Sequence, residues 1–180
     1  KFKKLQGLIR TFDRHNRVNE DLRETGSSPL VSIVLLSFNQ KEFLEQSILS
    51  VINQSYKNIE YIVYDGGSTD GSIEIIKKYN QYMKFVHIGP DGGPAAALNA
   101  GFNKSTGEIL AYLNSDDVLY NNAIEVLVSE FLKDPNADIV FGDIDFIDEV
   151  GMPTHCRGGI ASKLLVGPFS ARRYCVGAAA

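Results

Sequence analysis

The sequence predicts an α/β fold, a mostly parallel sheet flanked by helices. Three observations carry this reading. Apolar runs of strand length alternate with segments of helical periodicity. The first run, Val31 to Leu36, is nearly continuous, as expected for a strand covered on both faces. Three of the runs end in polar loops, at Ser37–Asn39, Asp65–Asp70 and Asn114–Asp117. In a parallel sheet these loops meet at one edge, where the carboxyl ends of the strands bind ligands.

Composition narrows the class. A chain of 180 residues can build one domain with a real core. A net charge of −4 argues against a general nucleic-acid binder. Cys156 and Cys175 form no CxxC, and the histidines do not cluster. A zinc site or disulfide framework is therefore disfavoured, and a reducing, cytoplasmic setting is expected. No apolar run reaches membrane-spanning length, and there is no signal-peptide pattern. The chain starts at Lys1 and stops at Ala178-Ala179-Ala180, which reads as a fragment.

Residues 1–29 read as a basic helix and linker, and 30–180 as the domain, truncated at its C-terminus. Phe2, Leu5, Leu8, Ile9 and Phe12 recur at helical spacing beside Lys1, Lys3, Lys4, Arg10, Arg14 and Arg17. Such a helix packs on its own domain, belongs to the tail of an upstream domain, or lies on an anionic membrane, here the inner face, through residues 1–17. Glu24 to Pro29 is a linker by composition.

The domain opens with the strand Val31–Leu36. Asn39 and Glu42 have the spacing of a capping box for a helix whose stripe is Leu44, Ile48, Val51 and Ile52. That helix stops near Asn53-Gln54-Ser55. Ile59–Tyr64 is the second strand. Asp70 is placed to cap a helix carrying Ile73, Ile76 and Tyr79. Lys84–Ile88 is a third strand, and Gly89–Pro94 a loop by its breakers. Ala95 to Phe102 is a small-residue helix suited to tight packing. Glu108–Tyr112 is the fourth strand. Asn121-Asn122 starts a helix through Ile124, Leu127, Val128 and Phe131, ended by Asp134-Pro135. Asp138–Phe141 is a further strand, beyond which the pattern fades.

The stretch Leu113-Asn114-Ser115-Asp116-Asp117 stands out. Two adjacent carboxylates repel each other in a closed site. A hard divalent cation completed by phosphate oxygens would relieve that repulsion. The competing reading is that these residues merely form a turn and cap the next helix. His87, His155 and the pair Arg172-Arg173 read as structural or solvated. No Gly-x-Gly-x-x-Gly follows the first strand, and no P-loop lysine pattern occurs.

Five motifs in order resemble family 2 glycosyltransferases. They are Val31 to Asn39, Ser50 to Tyr56, Asp65 to Gly71, Asn99 with Gly101 to Gly107, and Asn114 to Asp117 at the family's DxD-like position. The resemblance covers about residues 30–145. It implies a GT-A, Rossmann-like fold and transfer of a sugar from a UDP- or dTDP-sugar to an acceptor hydroxyl with inversion. It implies a role in polysaccharide or glycoconjugate synthesis, a saccharide or lipid-linked acceptor, and a Mn²⁺ or Mg²⁺ cofactor.

The residues carried over for the donor are Ser37, Phe38, Asn39, Asp65, Gly67, Asn99 and Asp116. Asp65 is expected to accept from a uracil or thymine imide. Asp117, with Asp116, is expected to hold the metal. Three positions depart from the common pattern: Gly66 where a second acid is frequent, Phe38 for Tyr, and Asn114 for the first acid of the motif. The general base that the resemblance implies lies beyond residue 180. Asp143, Asp145 and Asp148 come too early to match it, and Asp143 is expected near the acceptor. Two alternatives stand beside this reading: a non-catalytic nucleotide-sugar-binding fragment, and a nucleotidyltransferase on a related scaffold.

Overall fold

The structure, a computed structural model, describes residues 28–134, 137–142, 144–147, 153–158 and 174–176. The basic segment 1–27, Asp143, Asp148 and Arg172-Arg173 lie outside the described residues. Among the described residues, no helix is long and apolar enough to cross a membrane.

Strand β1 (Val31–Ser37) is the centre of the fold. It pairs in parallel with β2 (Ile59–Asp65) on one side and with β4 (Ile109–Asn114) on the other. Outside these lie β3 (Phe85–Ile88) next to β2, and beyond β4 the short strands β8 (Tyr174–Val176) and β5 (Val140–Phe141). The order is β3-β2-β1-β4-β8-β5, all pairs parallel. Strands β6 (Ile144–Ile147) and β7 (Pro153–Gly158) form a separate antiparallel pair.

Side chains alternate across the sheet, so each strand feeds two cores. Val31, Ile33 and Leu35 face one layer with Tyr61, Val63, Ile109, Ala111 and Leu113. Helices α1 (Lys41–Ile52), α2 (Ser72–Tyr79) and α4 (Ala123–Lys133) cover that layer through residues such as Leu44, Ile48, Ile76 and Phe131. Val34, Ile62, Tyr64 and Leu110 face the other layer, covered by Ala97 and Phe102 of α3 (Pro94–Lys104). Burial on both faces is why the β1 sequence is nearly all apolar, its buried Ser32 being hydrogen-bonded to Glu60.

Helix α3 lies close because Gly101 has no side chain. A Cβ there would sit 2.5 Å from Val34 Cγ1. The chain leaving α3 is tied to the sheet by a buried acid. Glu60 Oε2 accepts from Ser32 Oγ at 2.6 Å and Thr106 N at 2.8 Å, and Oε1 accepts from Thr106 Oγ1 at 2.7 Å. Burial pushes the Glu60 carboxyl up, but the hydrogen bonds from Ser32 and Thr106 outweigh it and hold the group below its ordinary value.

One expected cap is absent and another does double duty. Asn39 does not cap α1; the residue before the helix is Gln40, with no side-chain cap. Asn39 instead adopts φ 53°, and its Oδ1 accepts from Thr69 N at 2.8 Å. Its short polar side chain tolerates that left-handed backbone, so a cross-loop staple replaces the capping box. The N-terminus of α1 is capped from a distance, as Lys41 N donates to Asp70 Oδ2 at 2.8 Å. Asp70 Oδ1 also accepts from Ser72 N and Ser72 Oγ, at 2.9 and 2.7 Å, at the start of α2. One carboxylate thus serves two helix N-termini, where negative charge is favoured.

Two outcomes follow. Gly101→Ala forces its new methyl into Val34 and should destabilise the domain by about 1–3 kcal/mol, read from denaturant midpoints. The Ser72 hydroxyl, then the Lys41 amide, hold the Asp70 carboxyl down to about 2 from 3.8. A depressed carboxylate contributes stability that is present above its unfolded value and lost as pH falls through the folded one. The charge-dependent gap between wild type and Asp70→Ala should therefore be full at neutral pH, narrow below 3.8 and vanish near 2 in pH-resolved melts.

Candidate functional site

The sheet register gathers the polar loops. Ser37 lies opposite Asp65, and Leu36 opposite Asn114. A cleft of about 680 Å³ opens over these strand ends. Leu36, Ser37, Phe38 and Gln40 line it from β1 and the turn beyond, and Gly66 from the loop after β2. Pro90 to Pro94 and Ala97 line it from the β3–α3 side, and Asn114, Ser115 and Asp116 from the end of β4.

The loop after β2 is folded around Asp65, which is fully buried. Oδ1 accepts from Gly67 N at 3.0 Å and Ser68 N at 2.7 Å, and Oδ2 accepts from Ser68 Oγ at 2.7 Å. Gly67 takes φ 93°, a conformation that suits glycine. Ser68 Oγ in turn accepts from Asn39 N at 2.8 Å, which joins this loop to the β1–α1 turn. The backbone completes the frame: Gly66 N donates to Ser37 O and Gly89 N to Asp65 O, both at 2.9 Å.

Two features of the cleft are open to a ligand. The Ser37 Oγ is buried and has no hydrogen-bond partner among the described residues. An unsatisfied buried hydroxyl costs about 1–3 kcal/mol, which a bound polar group recovers. Phe38 lines the cleft and is 61% exposed, an aromatic side chain of the kind that stacks on planar groups.

The end of β4 is held from below. Ser47 Oγ on α1 donates to Asn114 O at 3.1 Å, and Asp117 N closes the turn on the same oxygen at 3.2 Å. Asn114 Nδ2 donates to Asp117 Oδ2 at 3.0 Å. Burial pushes the Asp117 carboxyl up, the Asn114 amide opposes it, and the neighbouring Asp116 charge pushes it further up. Gln54, fully buried, supports the following segment. Its Nε2 donates to Ser50 O and Tyr120 O, and its Oε1 accepts from Ile124 N at the start of α4.

The structure therefore brings Ser37, Phe38 and Asp116 to the cleft itself. Asp65, Gly67 and Asn39 build the loops beside it, and Asp117 stands behind Asp116 in the turn. Asn99 is on an exposed face of α3, outside the cleft lining. Sequence reasoning missed Gln40 and Asp91 in the lining, and Ser47 and Gln54 as supports. Asp91 lies between Pro90 and Gly92 and reads only as part of a breaker run. A buried Gln at a helix end has no periodic signal.

The donor set suits a hard cation. Asp116, Asp117 and the Asn114 side chain provide oxygens, the atoms that Mg²⁺ or Mn²⁺ prefers. Among the described residues no three His, Cys, Asp or Glu side chains gather as a ready metal cage. A cation here would take its remaining ligands from a phosphate group and water.

Comparison with known proteins identifies the fold and the family. The sequence is 39% identical over 126 residues to an uncharacterized glycosyltransferase of Haemophilus influenzae, covering 68% of this chain and 50% of that protein. The chain thus spans about half the length of that relative. Staphylococcus aureus TarS 1-349 in complex with UDP-GlcNAc superposes with a TM-score of 0.59 at 19% identity, over 69% of this chain and 37% of that one. The mannosyltransferase PcManGT from Pyrobaculum calidifontis, in complex with GDP-Man and Mn²⁺, superposes with a TM-score of 0.58 at 22% identity, over 64% and 36%. These likenesses establish the GT-A fold. The sequence profile of glycosyl transferase family 2 matches residues 32–166, and the chain belongs to that family.

Proposed function

We propose that this chain is the donor-binding part of an inverting glycosyltransferase that uses a UDP- or dTDP-sugar. The observation that carries the reading is the cleft over the strand ends. It sets an exposed ring, an unpartnered buried hydroxyl and an acidic turn around one space. Those groups match the base, the polar nucleoside and the diphosphate of one ligand. The family membership and the nucleotide-sugar complexes of the superposed proteins support it.

In this reading the base stacks on Phe38, and Ser37 Oγ hydrogen-bonds the nucleoside. Asn39 and Gly67 shape the loop that walls that end. Asp116 and Asp117 would hold Mn²⁺ or Mg²⁺ at the diphosphate. When bound, the cation supplies Lewis-acid stabilisation of the leaving diphosphate. The acceptor hydroxyl attacks the anomeric carbon from the far face, the bond from that carbon to the diphosphate oxygen breaks, and a general base takes the hydroxyl proton. We assign that base to none of the described carboxylates. The acceptor we propose is a saccharide or lipid-linked saccharide in polysaccharide or glycoconjugate synthesis.

Calorimetric titration with UDP and dTDP, with and without Mn²⁺, tests this directly. Wild type should bind with a clear gain from the metal. Asp117→Asn should erase that gain while the melting transition persists. Equal binding by wild type and variant would overturn the metal assignment. Cooperative melting without any nucleotide binding would overturn the donor site.

A further inference from the structure

The sequence expectation gives base recognition to Asp65, but Asp65 is buried under the loop and three donors already hold its carboxylate. Asp65 is also absent from the cleft lining, whereas Asp91 is part of it. Asp91 sits where a side chain on Gly66 would project. A Cβ on Gly66 would be 3.4 and 3.6 Å from the two Asp91 carboxylate oxygens and 3.1 Å from Phe38 Cδ2. The Asp91 carboxylate and the Phe38 ring therefore converge on the same point at the rim.

The loop fixes Asp91 through one oxygen only. Oδ1 accepts from Gly93 N at 2.8 Å, and among the described residues no donor reaches Oδ2. An ionised carboxylate only accepts hydrogen bonds, so its open oxygen takes a ligand N–H or O–H. A base stacked on Phe38 presents its edge at the rim that Asp91 occupies. The acidic turn at Asp116 follows β4, with β2 and β1 between it and the β3 side that carries Asp91, so a diphosphate held at that turn would lie away from Asp91.

We propose that Asp91 is the specificity-determining residue that accepts the N–H on the edge of the donor's base, with Asp65 confined to building the loop. This rests on the nucleotide-sugar reading above. The imide N–H of uracil or thymine meets the requirement, because it is a donor on an edge otherwise lined by acceptors. A carboxylate in that place accepts a charge-assisted hydrogen bond, among the stronger kinds available.

The test compares wild type and Asp91→Asn by calorimetry with UDP and with dUDP in the presence of Mn²⁺. Asparagine keeps an acceptor for Gly93 N, so the loop is retained, and a matching melting curve verifies this. The expected result is a loss of about tenfold to hundredfold for both nucleotides alike. Unchanged affinity would overturn the inference and leave the base edge without a contact from Asp91. A loss for UDP alone would also overturn it, because it would place Asp91 at the ribose 2′-hydroxyl. If wild type binds UDP, a negative result condemns only Asp91. If wild type binds neither nucleotide, the donor-site reading fails and this inference falls with it.

Discussion

The buried carboxylate of Asp65 is the constraint on which the cleft depends. It ends β2 inside the fold, and among the described residues no cation pairs with it. A buried charge is tolerated only when its oxygens are hydrogen-bonded. The chain answers by turning back at once, so that Gly67 and Ser68 supply three donors. That turn commits Ser68 to meet Asn39, and Asn39 to meet Thr69. The path of the rim is thus dictated by solvation of one acid rather than by packing of apolar groups.

The architecture was legible because it follows from periodicity. The nearly continuous apolar run Val31–Leu36 reads as a doubly covered strand, and it pairs on both sides. The small residues from Ala95 to Phe102 read as a tight interface, and Gly101 against Val34 is that interface. The position of the acidic turn at the end of β4 also follows, since strand ends and polar loops leave clear local patterns.

Partnerships between distant residues were not legible. Asn39 and Glu42 have the spacing of a capping box, yet the amide of Asn39 is claimed by Thr69, 30 residues away. Glu60 near the start of an apolar strand gave no hint that Ser32 and Thr106 would offset its burial. Gln54 looked like the frayed end of a helix and is a buried tie between three segments. Asp91 looked like a loop former. In each case the side chain is committed by a contact that only the folded topology creates. Local spacing carries no record of it.

The close approach at Gly101 has a consequence for the opposite end of its helix. Helix α3 covers its face of the sheet through few buried side chains, Ala97 and Phe102 among them. The helix is about 16 Å long and packs on Val34 at Gly101, toward its C-terminal end. Its other end continues into Gly93 and the loop that lines the cleft. A change in how deeply Gly101 sinks into the sheet would therefore be carried along the helix to the rim between that loop and Phe38. Selection on the shape of the rim can act through core residues that never touch a ligand.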